Sequence, residues 1–298
     1  MILVTERNGQ LGNRLQLFAH LIGTASEHKL TIKNPAFLEY GDLFQGTYGD
    51  IHCQFPKSKI KIRSNNLTYR ILKKRVRLFL KFQKLFGTIL INSKETIEAK
   101  NSREPIDLDD PYFINLVQKY KILICKGYFF RSHKNVLKNA RIIKEYFSPT
   151  DEHREKINWI YSAVKAGEDV VICGVHIRQG DYKSYRNGIW FYTLEEYDLI
   201  MRKAEVIISK AFNKKVRFLM CSNVQQDSKC FNGLDFYKSS ESPIVDLYLL
   251  AKCDFIMGPP SSFSRWASFY GDVPLYPIED IQRNINIKDF TVNSQLVG

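Results

Sequence analysis

The sequence predicts an α/β protein of two domains, built on parallel sheets with helices against them. Three observations carry this expectation. The chain has 298 residues, a length that suits two such domains. Its second half alternates apolar strand-like runs with helical patterns, which argues for a parallel sheet covered on both faces; the first half is similar but less regular. The third observation is the stretch Val170–Asp181, VVICGVHIRQGD. It opens as a wholly apolar run of β-branched and small residues, as a strand buried on both faces requires. It closes on His176, Arg178, Gln179 and Asp181, polar groups at the strand end where open α/β sheets bind ligands. The boundary is expected at Ser148-Pro149, giving domains 1–149 and 150–298. No internal repeat is visible.

Composition narrows the class. A hydrophobic content of 44% and a charged content of 25% are those of a soluble globular protein. No run of about 20 apolar residues occurs, which argues against a membrane-spanning helix. Met1-Ile2-Leu3-Val4 reads as a first strand and not as the charged start of a secretory signal, so the expected location is the cytoplasm. The six cysteines are scattered without a CxxC pair. They read as buried free thiols, with no disulfide framework and no zinc site. The net charge is +13, and Lys57–Lys84 holds eleven Lys or Arg residues and no acid. A basic surface of this kind favours phosphorylated ligands, nucleic acid or an anionic membrane.

In chain order, Met1–Val4 is a short strand. Glu6–Asn13 is a glycine-containing turn, and Arg14–Ala25 is an apolar helix. Strand, glycine loop and helix together let a backbone approach a phosphate or sugar, although the spacing is neither GxGxxG nor a P-loop. Leu30–Ile32 reads as a second strand, and Asn34–Pro56 as irregular chain. Lys57–Arg63 alternates basic and apolar residues, as an edge strand does. Leu67–Phe86 is a basic amphipathic helix whose face either is solvated, lies on an anionic bilayer or meets nucleic acid. Its aromatic residues share the apolar face and do not form stacking platforms for bases.

Asp107, Asp109 and Asp110 lack the glycine and spacing of a calcium loop and read as a solvated turn. Ile122–Cys125 is a buried strand, Val136–Phe147 a helix, and Asp151–Ala166 another helix that Gly167 closes. After the central strand comes a polar, aromatic loop, Tyr182–Trp190. Thr193 is an N-cap with Glu195 and Glu196 in the first turn, and this helix runs to about Ala211. Val216–Cys221 is a buried strand ending in Ser222-Asn223. Pro243–Lys252 is an apolar helix carrying Asp246, and Phe255–Met257 a short strand. Ser261-Ser262 precede a helix over Phe263–Tyr270, and Val273–Tyr276 is the last strand.

Polar residues thus close several segments that a doubly wound sheet would align at one edge: His176, Arg178 and Asp181; Ser222 and Asn223; Ser261 and Ser262. Arginine offers a planar fork that matches phosphate oxygens. Ser261, Ser262 and the first free amides of their helix either bind an anion or serve only to cap the helix.

GVHIRQGDY resembles the HxRRxD-type motif of the α-1,2-fucosyltransferases and, more distantly, of the α-1,6- and protein O-fucosyltransferases. NGQLGNRLQLFAH is similar to the family's GGLGNQMFQYA loop, and LMCSN to its strand ending in Ser-Asn. DLYLLAKCDFIMGPPSSFSRWASF is similar to its block DLxLMxxCxxxIxxxSSFSWWGA. These blocks occur in the family's order between residues 8 and 270, whereas 34–165 shows no match.

The resemblance implies two Rossmann-like domains facing a cleft (the GT-B type) and an inverting, metal-independent transfer of fucose from GDP-fucose to a glycan hydroxyl. No cofactor or metal is expected. Arg178 would hold the β-phosphate and stabilise the departing charge. His176 and Asp246 would lie near the nucleotide, with Asp246 accepting from guanine N–H groups. Ser261, Ser262 and Phe263 would wrap the diphosphate, with Ser222 and Asn223 beside them. Gly12 and Asn13 would approach from the N-terminal domain.

The chain also departs from the family. Gln179 stands for the family's second arginine, Arg14 for a glutamine and Arg265 for a tryptophan. Asp181 and Glu6 are the candidates for general base. The expected partners are a nucleotide sugar, a glycan or lipid-linked oligosaccharide acceptor, and an anionic membrane surface met by the basic helix, with no nucleic acid. Two alternatives stand beside this reading. One is the same fold using another nucleotide sugar. The other is a basic nucleic-acid-binding protein, against which the distance in sequence between the basic cluster and the polar strand ends argues.

Overall fold

The computed structural model describes residues 1–58, 88–93, 105–225, 227–294 and 296. The chain forms two compact units, Met1–Thr150 and Asp151–Gly298. The basic stretch Leu67–Phe86 and most of the expected edge strand Lys57–Arg63 lie outside the described residues.

In the first unit, β1 (Ile2–Val4) leads into helix α1 (Leu11–Glu27). Strands β2 (Ile32–Lys33), β3 (Gln54–Phe55), β4 (Thr88–Asn92), β5 (Ile106–Asp107), β6 (Ile122–Lys126) and β7 (Phe130–Arg131) follow. The main sheet has the order β3-β2-β1-β6-β4, with only β3 antiparallel. Helix α2 (Pro111–Lys119) lies before β6, and α3 (His133–Lys138) and α4 (Ala140–Tyr146) follow β7. The helix read as Val136–Phe147 is therefore broken at Asn139, whose φ of −106° and ψ of 19° leave the helical region.

Phe18 on α1 anchors an aromatic core. Its ring centroid lies 5.4 Å from those of Phe37 and Phe147 and 5.6 Å from that of Tyr146, all in edge-to-face contact. The acidic turn is not simply solvated. Asp109 accepts from Ser132 Oγ (2.6 Å) and Asn135 Nδ2 (2.7 Å), tying β5 to α3. Asp110 caps α2 by accepting from the Tyr112 amide at 2.7 Å.

The second unit opens with α5 (Asp151–Lys165) and β8 (Val171–Ile177), followed by α6 (Leu194–Phe212) and β9 (Val216–Ser222). Strand β10 (Phe236–Lys238), α7 (Pro243–Leu250), β11 (Phe255–Gly258), α8 (Ser262–Gly271) and β12 (Leu275–Pro277) complete it. Every strand pair is parallel, in the order β10-β9-β8-β11-β12.

Strand β8 is buried along its whole length. Val171, Cys173, Val175 and Ile177 join a core with Tyr197, Ile200, Met201, Ala204 and Ile208 of α6. Gly174 lies on the other side of the strand, where a Cβ would come within 2.6 Å of Leu250 on α7. One strand thus packs under helices on both faces, which is why its sequence is unbrokenly apolar rather than alternating. Helix α6 begins with a complete capping box between Thr193 and Glu196.

Cys53, Cys125, Cys173, Cys221 and Cys253 are buried free thiols, and Cys230 is half-buried. Burial raises the Cys125 and Cys173 thiols above their ordinary range. Among the described residues, no helix is long and apolar enough to cross a membrane.

Candidate functional site

Strand order locates the edge that matters in the second unit. The chain runs outward from β8 through β9 to β10, then returns to the other side of β8 for β11 and β12. The order reverses between β8 and β11, the switch point at which doubly wound sheets leave a crevice beyond the strand ends. His176, Arg178 and Asp181 lie at the end of β8, and Ser261, Ser262 and Phe263 follow β11. Ser222 and Asn223 close β9 on the other side of β8.

Gly258 lets the two central strands meet closely, since a Cβ there would stand 2.7 Å from the His176 carbonyl oxygen. The His176 ring packs against Phe263 at 4.9 Å, and Nδ1 shares a 2.8 Å hydrogen bond with Ser264 Oγ. Burial, reinforced by the Arg178 charge, pushes the imidazole pKa down to about 3. His176 is thus a neutral wall of the site at ordinary pH.

Arg178 is held from several sides. Its backbone amide donates to the Tyr197 hydroxyl at 3.2 Å. The guanidinium pairs with Asp181 at 2.9 Å and lies over the Tyr182 ring, 5.4 Å from its centroid. The guanidinium side chain is mostly covered, at 15% exposure, while Asp181 is 53% exposed.

The loop that carries this arginine is pinned to the neighbouring strand ends. The Gln179 amide donates to Asn223 Oδ1 (3.0 Å), Gln179 Nε2 donates to the Tyr192 carbonyl (3.0 Å), and the Tyr182 hydroxyl donates to the Pro260 carbonyl (2.8 Å). Asn223 therefore serves the loop's backbone directly. Ser222 Oγ accepts from the Val224 amide at 3.3 Å, shaping the same turn. Ser261 caps its own helix, accepting from the Phe263 amide at 3.1 Å. Its helix still brings the positive end of α8 to the crevice, beside Ser262.

Asp246 sits in the first turn of α7 and is buried, with 6% exposure. Ser239, just past β10, donates its hydroxyl to the carboxylate at 2.5 Å. Burial outweighs the hydrogen bonds from Ser239 and Cys221 and lifts the Asp246 pKa to about 7. A carboxyl so placed titrates near neutrality and gains from any ligand N–H donor that favours its charged form.

Glu6, Gly12 and Asn13 belong to the first unit. Glu6 follows β1 and pairs with Lys126 at the end of β6 at 3.3 Å, where that sheet changes direction. The helix starts at Leu11, earlier than the sequence pattern indicates, so Gly12 and Asn13 lie in the first turn of α1 and not in the preceding loop. Gly9 makes the turn, with φ of 67° and the Asn13 side chain packed against it. Arg14 fastens that turn by donating to the Gly9 carbonyl (3.0 Å) and to Glu39 (2.9 Å).

Sequence reasoning passed over Tyr182, Tyr197, Ser239 and Ser264, which hold the predicted residues in place. An aromatic residue immediately after Asp181 was the available signal for the first. The others come from elements distant in sequence and are recognisable only once the sheet order is known.

No family model and no curated protein matches the sequence. Solved structures do resemble it. A fucosyltransferase from Bradyrhizobium, NodZ, matches with a TM-score of 0.57 at 18% identity, over 93% of this chain and 94% of that one. A mutant of Arabidopsis thaliana FUT1 in complex with GDP matches with a TM-score of 0.58 at 12% identity, covering 93% of this chain and 70% of the other. POFUT1 in complex with GDP matches with a TM-score of 0.52 at 12% identity, over 91% and 94% of the two chains. The chain therefore has the α/β fold of these fucosyltransferases, as its sequence motifs lead one to expect.

Proposed function

We propose that the protein is an inverting glycosyltransferase that moves fucose from GDP-fucose to a glycan hydroxyl, of the α-1,2 type. The observation that carries this reading is the placement of Arg178 and the N-terminus of α8 after the adjacent strands β8 and β11, at the switch point of the sheet. Both are positive, they come from adjacent strand ends, and the loop that follows the arginine is pinned in advance. The likeness to structures of NodZ soaked with GDP-fucose and POFUT1 bound to GDP-fucose supports the choice of donor.

In this reading the acceptor oxygen attacks the fucose anomeric carbon from the face opposite GDP. The bond from that carbon to the β-phosphate oxygen breaks, and its electron pair leaves with GDP. Arg178 and the helix terminus stabilise the growing phosphate charge, so the step is written without a metal. Ser262 and Phe263 line the diphosphate, and Ser261 and Asn223 hold the surrounding backbone. Asp246 faces the base, where guanine N–H groups satisfy its carboxylate. His176 stays neutral beside the phosphate and adds no competing charge.

The proton of the acceptor hydroxyl goes to Asp181. Asp181 rests on Arg178; a phosphate that takes over the guanidinium frees this carboxylate to accept the proton. The basic stretch 67–86 draws the enzyme to an anionic membrane that carries its glycan acceptor.

The test is incubation with GDP-fucose and a panel of soluble and lipid-linked glycans, reading released GDP and product linkage. Turnover in the wild type and its loss in Arg178→Ala, with an unchanged melting profile, is the expected result; an active Arg178→Ala enzyme removes the phosphate role. Gln179, where the resembling family carries an arginine, favours one second reading: another nucleotide sugar. GDP should raise the melting midpoint and UDP or TDP should not; the reverse would replace the donor.

A further inference from the structure

An aromatic ladder runs from the candidate diphosphate arginine to the protein surface. The Arg178 guanidinium lies over Tyr182 at 5.4 Å. Tyr182 stacks on Tyr185 with centroids 5.3 Å apart and planes 29° apart. Tyr185 neighbours Trp190 at 6.1 Å, tilted by 38°. Arg186 bridges the outer rungs, 5.0 Å from the Trp190 centroid and 5.9 Å from that of Tyr185. The inner rung is covered, with Tyr182 at 8% exposure, and the outer one is open, with Tyr185 at 46%.

This loop is also strained. Arg186 and Asn187 are consecutive non-glycine residues in the left-handed region, at φ 48° and 60°. The strain falls chiefly on Arg186, since asparagine tolerates this region, and such strain persists where the surrounding contacts fix a functional shape. Hydrophobic collapse explains Tyr182. It does not explain an exposed Tyr185 beside a half-buried Trp190, with the Arg186 cation over both and a strained turn between them.

We propose that Tyr185 and Trp190 form a stacking floor for a pyranose ring of the acceptor oligosaccharide. A pyranose presents an apolar C–H face ringed by hydroxyls, and aromatic rings offer a large, rigid apolar surface of matching size. Lys183, Asn187 and Asp181 surround the ladder in sequence and supply polar partners for the hydroxyl rim. Stacking at one end of the ladder and phosphate binding at the other would place the acceptor sugar within one loop's reach of the leaving group. The proposal rests on the glycosyltransferase reading and names its acceptor subsite.

Saturation-transfer NMR on the full chain tests it, with oligosaccharides ending in galactose, N-acetylglucosamine or mannose as probes. Irradiation of the aromatic resonances should saturate the C–H protons of one terminal sugar in the wild type. Tyr185→Ala and Trp190→Ala should each reduce that transfer at least threefold, and Trp190→Phe should restore most of it. The melting shift given by GDP should persist in all three variants, which also shows that they are folded. The proposal is overturned if no probe is saturated or if the alanine variants keep the signal. Loss of the GDP shift in folded variants also overturns it, because the ladder would then belong to the donor. Sugar stacking in a wild type that GDP does not stabilise would instead leave the floor standing and remove the donor reading.

Discussion

Replacing Asp246 by Asn separates what a buried carboxylate costs the fold from what it offers a ligand. The Asp246 pKa rises from 3.8 in a free side chain to about 7 in the folded protein, chiefly through burial. Between those values the folded state keeps a proton that the unfolded state has released. The group's stability is therefore fully present below pH 3.8 and is lost as pH rises towards 7, by about a factor of ten in the folding equilibrium per pH unit. Above pH 7 the penalty is constant, at about 4 kcal/mol as an upper bound. Asn keeps the shape and can still accept from Ser239 but has no charge to bury.

Urea unfolding at pH 4.5, 6 and 7.5 measures the difference between the two proteins. The variant should gain on the wild type as pH rises, reaching roughly 2–4 kcal/mol at pH 7.5. His176 runs the other way: its pKa is depressed to about 3, so its stability is present above 6.5 and lost as pH falls. It does so in both proteins and cancels. If Asp246 accepts from guanine as proposed, the same variant should bind GDP about tenfold more weakly at pH 8, because that charged acceptor is gone. A stability gap independent of pH, or a variant less stable than the wild type at pH 7.5, would refute the buried-carboxylate argument.

Asn223→Ala removes the acceptor of the Gln179 amide and should raise the KM for GDP-fucose about tenfold, consistent with roughly 1–2 kcal/mol for a lost loop-positioning hydrogen bond, while Asn223→Asp retains most of the affinity. Gly271→Ala places a Cβ within 1.9 Å of the Ala251 carbonyl and should destabilise the second unit by about 3 kcal/mol in chemical unfolding. Thr193→Ala breaks the capping box of α6 and should cost about 1 kcal/mol, a melting shift of a few degrees without a change in GDP binding.

Buried parallel strands were the most legible part of the fold. β8, β9 and β11 declare themselves because burial on both faces leaves no room for polar alternation. β10, exposed along an edge and only partly buried, carries no such signal, and neither does β4, whose residues are half-buried or exposed. The broken helix around Asn139 was hidden because its apolar pattern continues across the break. Within the site, residues attached to strand ends were readable as candidates. Their neighbours were not, since Tyr197, Ser239 and Ser264 reach the edge from other elements. The same limit applies to Asn223: its polarity and position mark it as a ligand residue, while the geometry gives its carbonyl oxygen to the Gln179 amide.

On the proposed mechanism, Gln179 explains how one arginine would suffice where the resembling motif has two. Its side chain donates to the Tyr192 carbonyl and its amide to Asn223, so this position is occupied in holding the loop. Gly180 follows with φ of 38° and turns the chain sharply towards Asp181. Tyr182 then ties the far side of the turn to Pro260, immediately before the helix whose N-terminus faces the same crevice. A guanidinium held between those anchors need not reorganise as phosphate charge develops, and a preorganised charge in a covered site stabilises more than a mobile one in water. A second arginine adds charge but must also be kept apart from the first. In the proposed mechanism, rigidity would replace part of that charge, the fixed dipole of α8 would supply more, and the Asp181 carboxylate, which pairs with the guanidinium, would give way to the phosphate.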